Sequence, residues 1–253
     1  MTKPPPADDQ RGTASNIAGT ICREIRGRIL SGKLAPGERL PGERELAQRY
    51  DTNRNTLREA VRMLEQARLV SVRHGQGVTV SDFRRTGTLE LLPAYLENAG
   101  DVEEIVRVLG DILPARLLVL EFAARLAARR ADPNDLARLR QVTAVLIAAF
   151  ERGDAVVVAH DFQRWLDALV DAAHSVAVRW IANPFLEAYR ELMDRFPALW
   201  VLEPTFPQHL RELIPAIEAN EEQRAIDILR AYYQRVDSDL MRMISGGIKP
   251  AVP

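Results

Sequence analysis

This chain of 253 residues has one cysteine, four histidines and only 6% aromatic residues, and each shortage removes a class of protein. A single Cys22 excludes an internal disulfide and fits a reducing compartment. Its place beside Ile21 and Ile25 assigns it to packing rather than redox chemistry. No GxSxG elbow, HExxH, CxxC or glycine-rich phosphate loop occurs, and the carboxylates are scattered, so the chain reads as something other than an enzyme. The apolar stretches Val142 to Phe150 and Ala155 to Ala159 fall far short of the roughly 20 residues that a membrane span needs. Residues 1–14, rich in proline and polar side chains, lack the apolar segment of a signal peptide. They and residues 246–253 are expected as disordered tails. What is left is a cytoplasmic globular chain with no membrane partner, 47% hydrophobic and 27% charged, long enough for two modest domains.

The near-zero net charge conceals a division. Residues 15–85 carry 14 Lys and Arg against 8 Asp and Glu, whereas residues 86–253 carry 18 against 25. A basic head of net +6 thus precedes an acidic body of net −7. That asymmetry suits one module attracted to phosphates and another kept away from them.

The head has the more informative order of residues. Pro41-Gly42 cannot continue a helix, and Glu43 and Glu45 then place acids on a first turn, where free N–H groups favour negative charge. A short helix therefore starts near Glu43 and stops at Asp51-Thr52-Asn53, three residues that prefer turns and N-caps. A second helix follows, with Leu57, Val61, Leu64 and Leu69 at helical spacing and Arg54, Asn55, Arg58 and Arg62 on other faces, able to reach base edges. Leu69 to Arg73 alternates as a strand, His74-Gly75-Gln76-Gly77 supplies a tight loop, and Val78-Thr79-Val80 returns. The predicted unit is a winged helix-turn-helix over residues 15–82 whose second helix reads DNA.

The head resembles the N-terminal domain of the GntR family of bacterial transcription regulators. The resemblance rests on Ile25, Ile29, Gly32, Leu34, Pro36-Gly37, Leu40-Pro41, Glu43-Arg44, Leu46-Ala47, Arg54, Thr56, Arg58-Glu59-Ala60, Leu64 and Gly75-x-Gly77-x-x-Val80. Gly42 and Asn53 depart from the residues usual there, but each keeps a small or hydrogen-bonding side chain. The resemblance implies that Arg44, Asn53, Arg54, Asn55, Thr56 and Arg58 contact bases and phosphates, and that His74 and Gly75 approach the minor groove. It also implies a homodimer on a palindromic double-stranded operator.

After Val80 the pattern turns helical. Residues 83–100 are expected as a linker helix and residues 101–245 as an antiparallel helical bundle. Its helices run from Asp101 to about Arg129, Asp132 to Arg152, Asp154 to Ala173, Ser175 to Phe196, Thr205 to Ala219 and Glu221 to Ile244. Pro114 is expected to kink the first, and Asn183-Pro184 to break the fourth. The fold class is mostly α. The helix order, with Arg116, Glu121 and the alanines at 123, 124, 127 and 128, resembles the FadR branch of the same family, with its FCD-type ligand-sensing domain. That branch implies a small acidic metabolite as effector, an acyl-coenzyme A or another organic acid.

Most members of the branch hold a metal with one Asp and three His. Aligned here, those positions fall at Gln163, Asp167, His209 and Gln234, so only His209 keeps its type, and no metal cofactor is expected beyond a labile contact through Asp167 and His209. His160 and His174 lie some 21 Å apart along one helix and cannot share an ion. The alternative is an organic effector met directly. Gln163 and Asp167 share a helix face, and Arg116, His209 and Gln234 converge on it from neighbouring helices to hold a carboxylate or phosphate.

Overall fold

The computed structural model describes residues 8–73, 75, 77–195 and 204–246, with only the backbone for 8–15 and 195. The chain divides after Gly100 into two compact units.

The first unit begins with α1 (Asp8–Leu30), followed by α2 (Glu43–Arg49) and α3 (Arg54–Gln66). Asn53 caps α3 by accepting the Thr56 N–H at 2.9 Å. The chain reverses ahead of that cap through Asp51, which sits at φ 46°, a left-handed conformation that Asp tolerates better than most residues. Strands β1 (Val70–Arg73) and β2 (Gly77–Val80) pair antiparallel from Val70 opposite Val80 to Arg73 opposite Gly77. Gly75 and Gly77 take φ of 74° and 84°, which is why the hairpin loop needs them. Residues 37–40 add a third line, since the Gly37 and Leu40 N–H groups donate to Val80 and Val78 and the Val80 N–H returns to Glu38. Ile21, Ile25 and Ile29 of α1, Leu57 and Leu64 of α3, and Val70 and Val80 of the hairpin make one buried core.

Two expectations change here. Helix α1 begins at Asp8, so residues 8–14, expected as tail, are helical, while 1–7 and 247–253 lie outside the described residues. Residues 83–100 are no single linker helix. They form α4 (Phe83–Thr86), a 3-10 turn at Leu89–Leu91 and α5 (Leu92–Glu97), and Leu91 and Ala94 join the core of the first unit. Gly87 stands at the break, where no side chain fits: a Cβ there would stand 2.6 Å from the Phe83 carbonyl oxygen and 2.9 Å from Leu91.

The second unit consists of α6 (Val102–Arg130), α7 (Pro133–Glu151), α8 (Ala155–Ala172), α9 (Val176–Arg195), α10 (Phe206–Glu218) and α11 (Glu222–Ser245). Asp101, Asp132 and Asp154 each cap the helix that follows through a side-chain oxygen. Helix α6 packs on α11, α8 and α10, and α7 on α8, around a core centred on Trp165. The fully buried Ala123, Ala124 and Ala127 let neighbouring helices approach α6 closely. The Trp165 indole donates to Thr143 Oγ1 at 3.0 Å, which satisfies its one polar atom. Helix α9 runs through Pro184 without the expected break. Val178, Ala182, Ala188 and Leu192 stay buried on one face, and that packing outweighs the single ladder bond the proline deletes. Among the described residues no helix is long and apolar enough to cross a membrane.

Candidate DNA-binding surface and effector cavity

On the first unit, α3 buries Leu57, Ala60 and Leu64 and turns its remaining faces outward. Arg44, Arg54 and Asn55 are exposed, and neither arginine has an ion pair among the described residues. Arg58 differs. Its guanidinium grips Glu43 of α2 with Nε 3.0 Å from both carboxylate oxygens and Nη2 at 2.9 Å, and the same contact holds the Glu43 carboxyl below its ordinary pKa. Arg58 is thereby oriented across the α2–α3 turn. Asn53 spends its side-chain oxygen on the cap of α3 and keeps its amide N–H groups free to donate. Thr56, expected at the DNA surface, is 4% exposed, because the position three residues after the cap turns toward the core. Gly75 stands in the hairpin loop, and His74 lies outside the described residues.

In the second unit the polar centre is Arg116 on α6. Its Nη2 donates to Asp237 Oδ1 of α11 at 2.6 Å, and its Cζ sits 4.5 Å over the Tyr233 ring. Its Nε is buried without a hydrogen-bond partner. Burial raises the Asp237 carboxyl above its usual range although Arg116 pulls it down. Both side chains line a cavity of about 90 Å³ whose walls are otherwise aromatic and aliphatic, including Phe150, Phe162, Tyr189, Phe206 and Tyr233. Burial also pushes the Tyr233 hydroxyl up to about 12 and that of Tyr189 well above the phenol range, so both stay neutral.

The other expected effector residues do not converge on Arg116. Gln163 lines a separate groove between α8 and α9 with His160 and Tyr189. Asp167 bonds Arg179 at 2.7 Å, and Gln234 is exposed on α11. His209 is 4% exposed, stacked 4.1 Å from the Tyr232 ring, and borders a third groove with Arg224, Asp227 and Arg235. Burial, aided by the Arg235 charge, lowers its pKa to about 3, and its Nδ1 has no partner. The carbonyl-to-amide ladder explains the scatter: spacing in the chain fixes which face of one helix a residue takes, not which neighbouring helix meets that face.

Gln163, Asp167, His209 and Gln234 therefore do not fit a metal site: one acid is committed to an arginine, one glutamine faces outward, and the only imidazole is shut in against a ring. Among the described residues the one group of three ligand types close enough for an ion is Asp132, Asp135 and His174. There both acids already serve as the capping box of α7, with Asp135 also 2.6 Å from His174. Asp237, Tyr189 and Tyr233 escaped sequence reasoning. The spacing of Tyr233 and Asp237 on α11 was the available signal, but tyrosines at helical spacing are far more often simple packing.

A winged helix with a basic outer face, followed by an all-helical unit whose largely apolar cavity holds an arginine, is the arrangement of a DNA-binding regulator with a sensing module. Residues 17–80 match the bacterial regulatory proteins of the gntR family, and residues 111–235 match the FCD domain. The HTH-type transcriptional regulator Mce2R of Mycobacterium tuberculosis is 32% identical over 79% of this chain and 81% of its own length. The galactonate operon transcriptional repressor of Escherichia coli is 28% identical over 76% of this chain and 84% of its own. The solved structure of Lar, described as controlling the expression of the Listeria monocytogenes agr system, has the same fold. It shows 15% identity and a TM-score of 0.61 over 89% of this chain and 97% of that one. The chain belongs to the GntR family of transcription regulators and carries an FCD domain; it is not an enzyme.

Proposed function

We propose that this regulator binds a two-fold symmetric operator as a homodimer and lets go, or takes hold, when a small organic acid enters the Arg116 cavity. Helix α3 enters the major groove. Arg54 and Asn55 read base edges, Arg44 and Asn53 meet the phosphates, Arg58 is aimed by Glu43, and the Gly75 loop lies along the neighbouring minor groove. The observation that carries the sensing half is the buried, unpartnered Nε of Arg116 in an otherwise apolar cavity: a guanidinium donor left idle away from water calls for an acceptor. A relative named for repressing a galactonate operon supports a link to organic-acid metabolism. An effector that prefers one arrangement of the helical unit shifts operator affinity by that preference and no more.

The test is affinity selection of fragmented genomic DNA on the purified protein, followed by titration of an enriched fragment with organic acids. Enriched sites should share an inverted repeat whose half-sites are separated by about one helical turn. Enrichment without a symmetric motif would remove the homodimer. A motif that persists unchanged with Arg54→Ala and Asn55→Ala would remove α3 as the reader.

A further inference from the structure

The geometry points to a narrower ligand: we infer that the Arg116 cavity takes a short-chain apolar monocarboxylate, which replaces the Asp237 carboxylate on Arg116 and so releases the one ion-pair tie that Arg116 makes between α6 and α11. The inference rests on the reading of this cavity as the effector seat and adds the ligand's size, its charge and the group it displaces.

Size comes first. About 90 Å³ is several times the roughly 10–15 Å³ that one water needs and smaller than the ~150 Å³ of an apolar cavity that takes benzene, so it holds an acyl chain of a few carbons. Neither a long acyl chain nor a coenzyme A moiety fits. Charge comes next. Among the described lining residues Arg116 is the one cation, and Asp237 already sits on its Nη2, so the cavity has a place for one carboxylate and none for a second. A phosphate or dicarboxylate would leave a negative charge facing aromatic walls. Polarity is third. Leu109, Leu113, Phe150, Phe162 and Phe206 offer a carbon chain contact, and the neutral polar groups beside them are the hydroxyls of Tyr189, Tyr232 and Tyr233, so most of the wall favours an apolar chain.

Displacement follows from the guanidinium. It presents a fork of donors, of which Asp237 engages Nη2 alone and leaves the buried Nε idle. A ligand carboxylate that spans Nε and Nη2 makes the bidentate pair that Asp237 does not make. Asp237, mostly buried but with 17% of its side chain reaching solvent, can turn outward into water once replaced. The exchange has a consequence along the chain, because α6 starts two residues after the boundary at Gly100 and Arg116–Asp237 is a tie between α6 and the last helix.

Calorimetric and thermal-shift titrations of the full chain with sodium butyrate test this, with butylammonium chloride, sodium succinate and decanoyl-coenzyme A as controls at matched ionic strength. Butyrate should bind one per chain at about millimolar concentration, as befits six heavy atoms, and the controls should not. Asp237→Asn, which removes the competing charge, should tighten butyrate about tenfold; a gain of affinity cannot come from misfolding. Arg116→Met should abolish it. If decanoyl-coenzyme A or succinate binds wild type and loses affinity in Arg116→Met, the short-monocarboxylate class is overturned while the cavity remains the effector seat. If butyrate binds Arg116→Met as well as wild type, both are overturned. Unchanged butyrate affinity in Asp237→Asn overturns the exchange.

Discussion

In the winged-helix unit the side chains offered to DNA stand in the open within one stretch of chain, whereas in the helical unit the polar centre is buried and joins residues 121 apart in sequence, Arg116 and Asp237. The first arrangement is nearly local: a capped helix turns Arg54 and Asn55 outward whatever packs behind it. The second exists only because α6 and α11 lie side by side. A surface that grips a polyanion needs reach and hydration, while a pocket that discriminates one small acid needs dry walls and a fixed partner for each donor.

The comparison can be broken most forcefully at the core of the helical unit. Trp165→Ala removes a wholly buried indole that bonds Thr143, and it should cost about 3–5 kcal/mol in urea unfolding. A loss below about 1 kcal/mol would mean the cavity walls are not held by that core. Next is the DNA surface. Arg54→Ala should weaken operator binding by roughly 1–3 kcal/mol in a mobility-shift titration and leave the unfolding midpoint in place; a shifted midpoint with unchanged operator affinity would make Arg54 structural.

His209 sharpens the contrast through pH. Its pKa in the folded chain is about 3 against an ordinary 6.5, so the unfolded chain takes up the proton first. Its contribution is complete above pH 6.5 and is lost as the pH falls toward 3, by at most about 1.4 kcal/mol per pH unit. His209→Phe keeps a ring on Tyr232 and should flatten the difference between the unfolding free energies at pH 6 and pH 5. Parallel pH curves for the two proteins would contradict the burial of a neutral imidazole. The smallest effect is expected at Asn53→Ala, where loss of the α3 cap should cost about 1 kcal/mol of stability and lower operator affinity only slightly. A drop in operator binding larger than that of Arg54→Ala would reassign Asn53 to base reading.

The starts and ends of α2 and of the six helices of the second unit, and the start of α3, were legible to within a residue or two, because Asp101, Asp132, Asp154 and Asn53 act on the backbone beside them; the helical spacing carried on to Leu69, whereas α3 ends at Gln66. Pro184 misled, since a local rule about one missing N–H met a buried face of four residues that local reasoning does not weigh. Arg116, expected to hold an effector, lines a cavity, whereas Gln163, Asp167, His209 and Gln234, expected to converge with it, each stand in another setting. Thr56 shows the same limit inside the DNA-binding unit: its residue type suits DNA, yet its angular position on α3 faces the core.

By itself the sequence determined the two-part plan, the winged helix with its outward arginines and the helical body, since caps, turn residues, apolar period and charge balance act over a few residues each. Tertiary structure alone decided which charge meets which across the helical unit. Arg116 found Asp237 and Tyr233, and Asp167 found Arg179, because the rotation and pairing of packed helices are fixed by the fit of many apolar side chains at once.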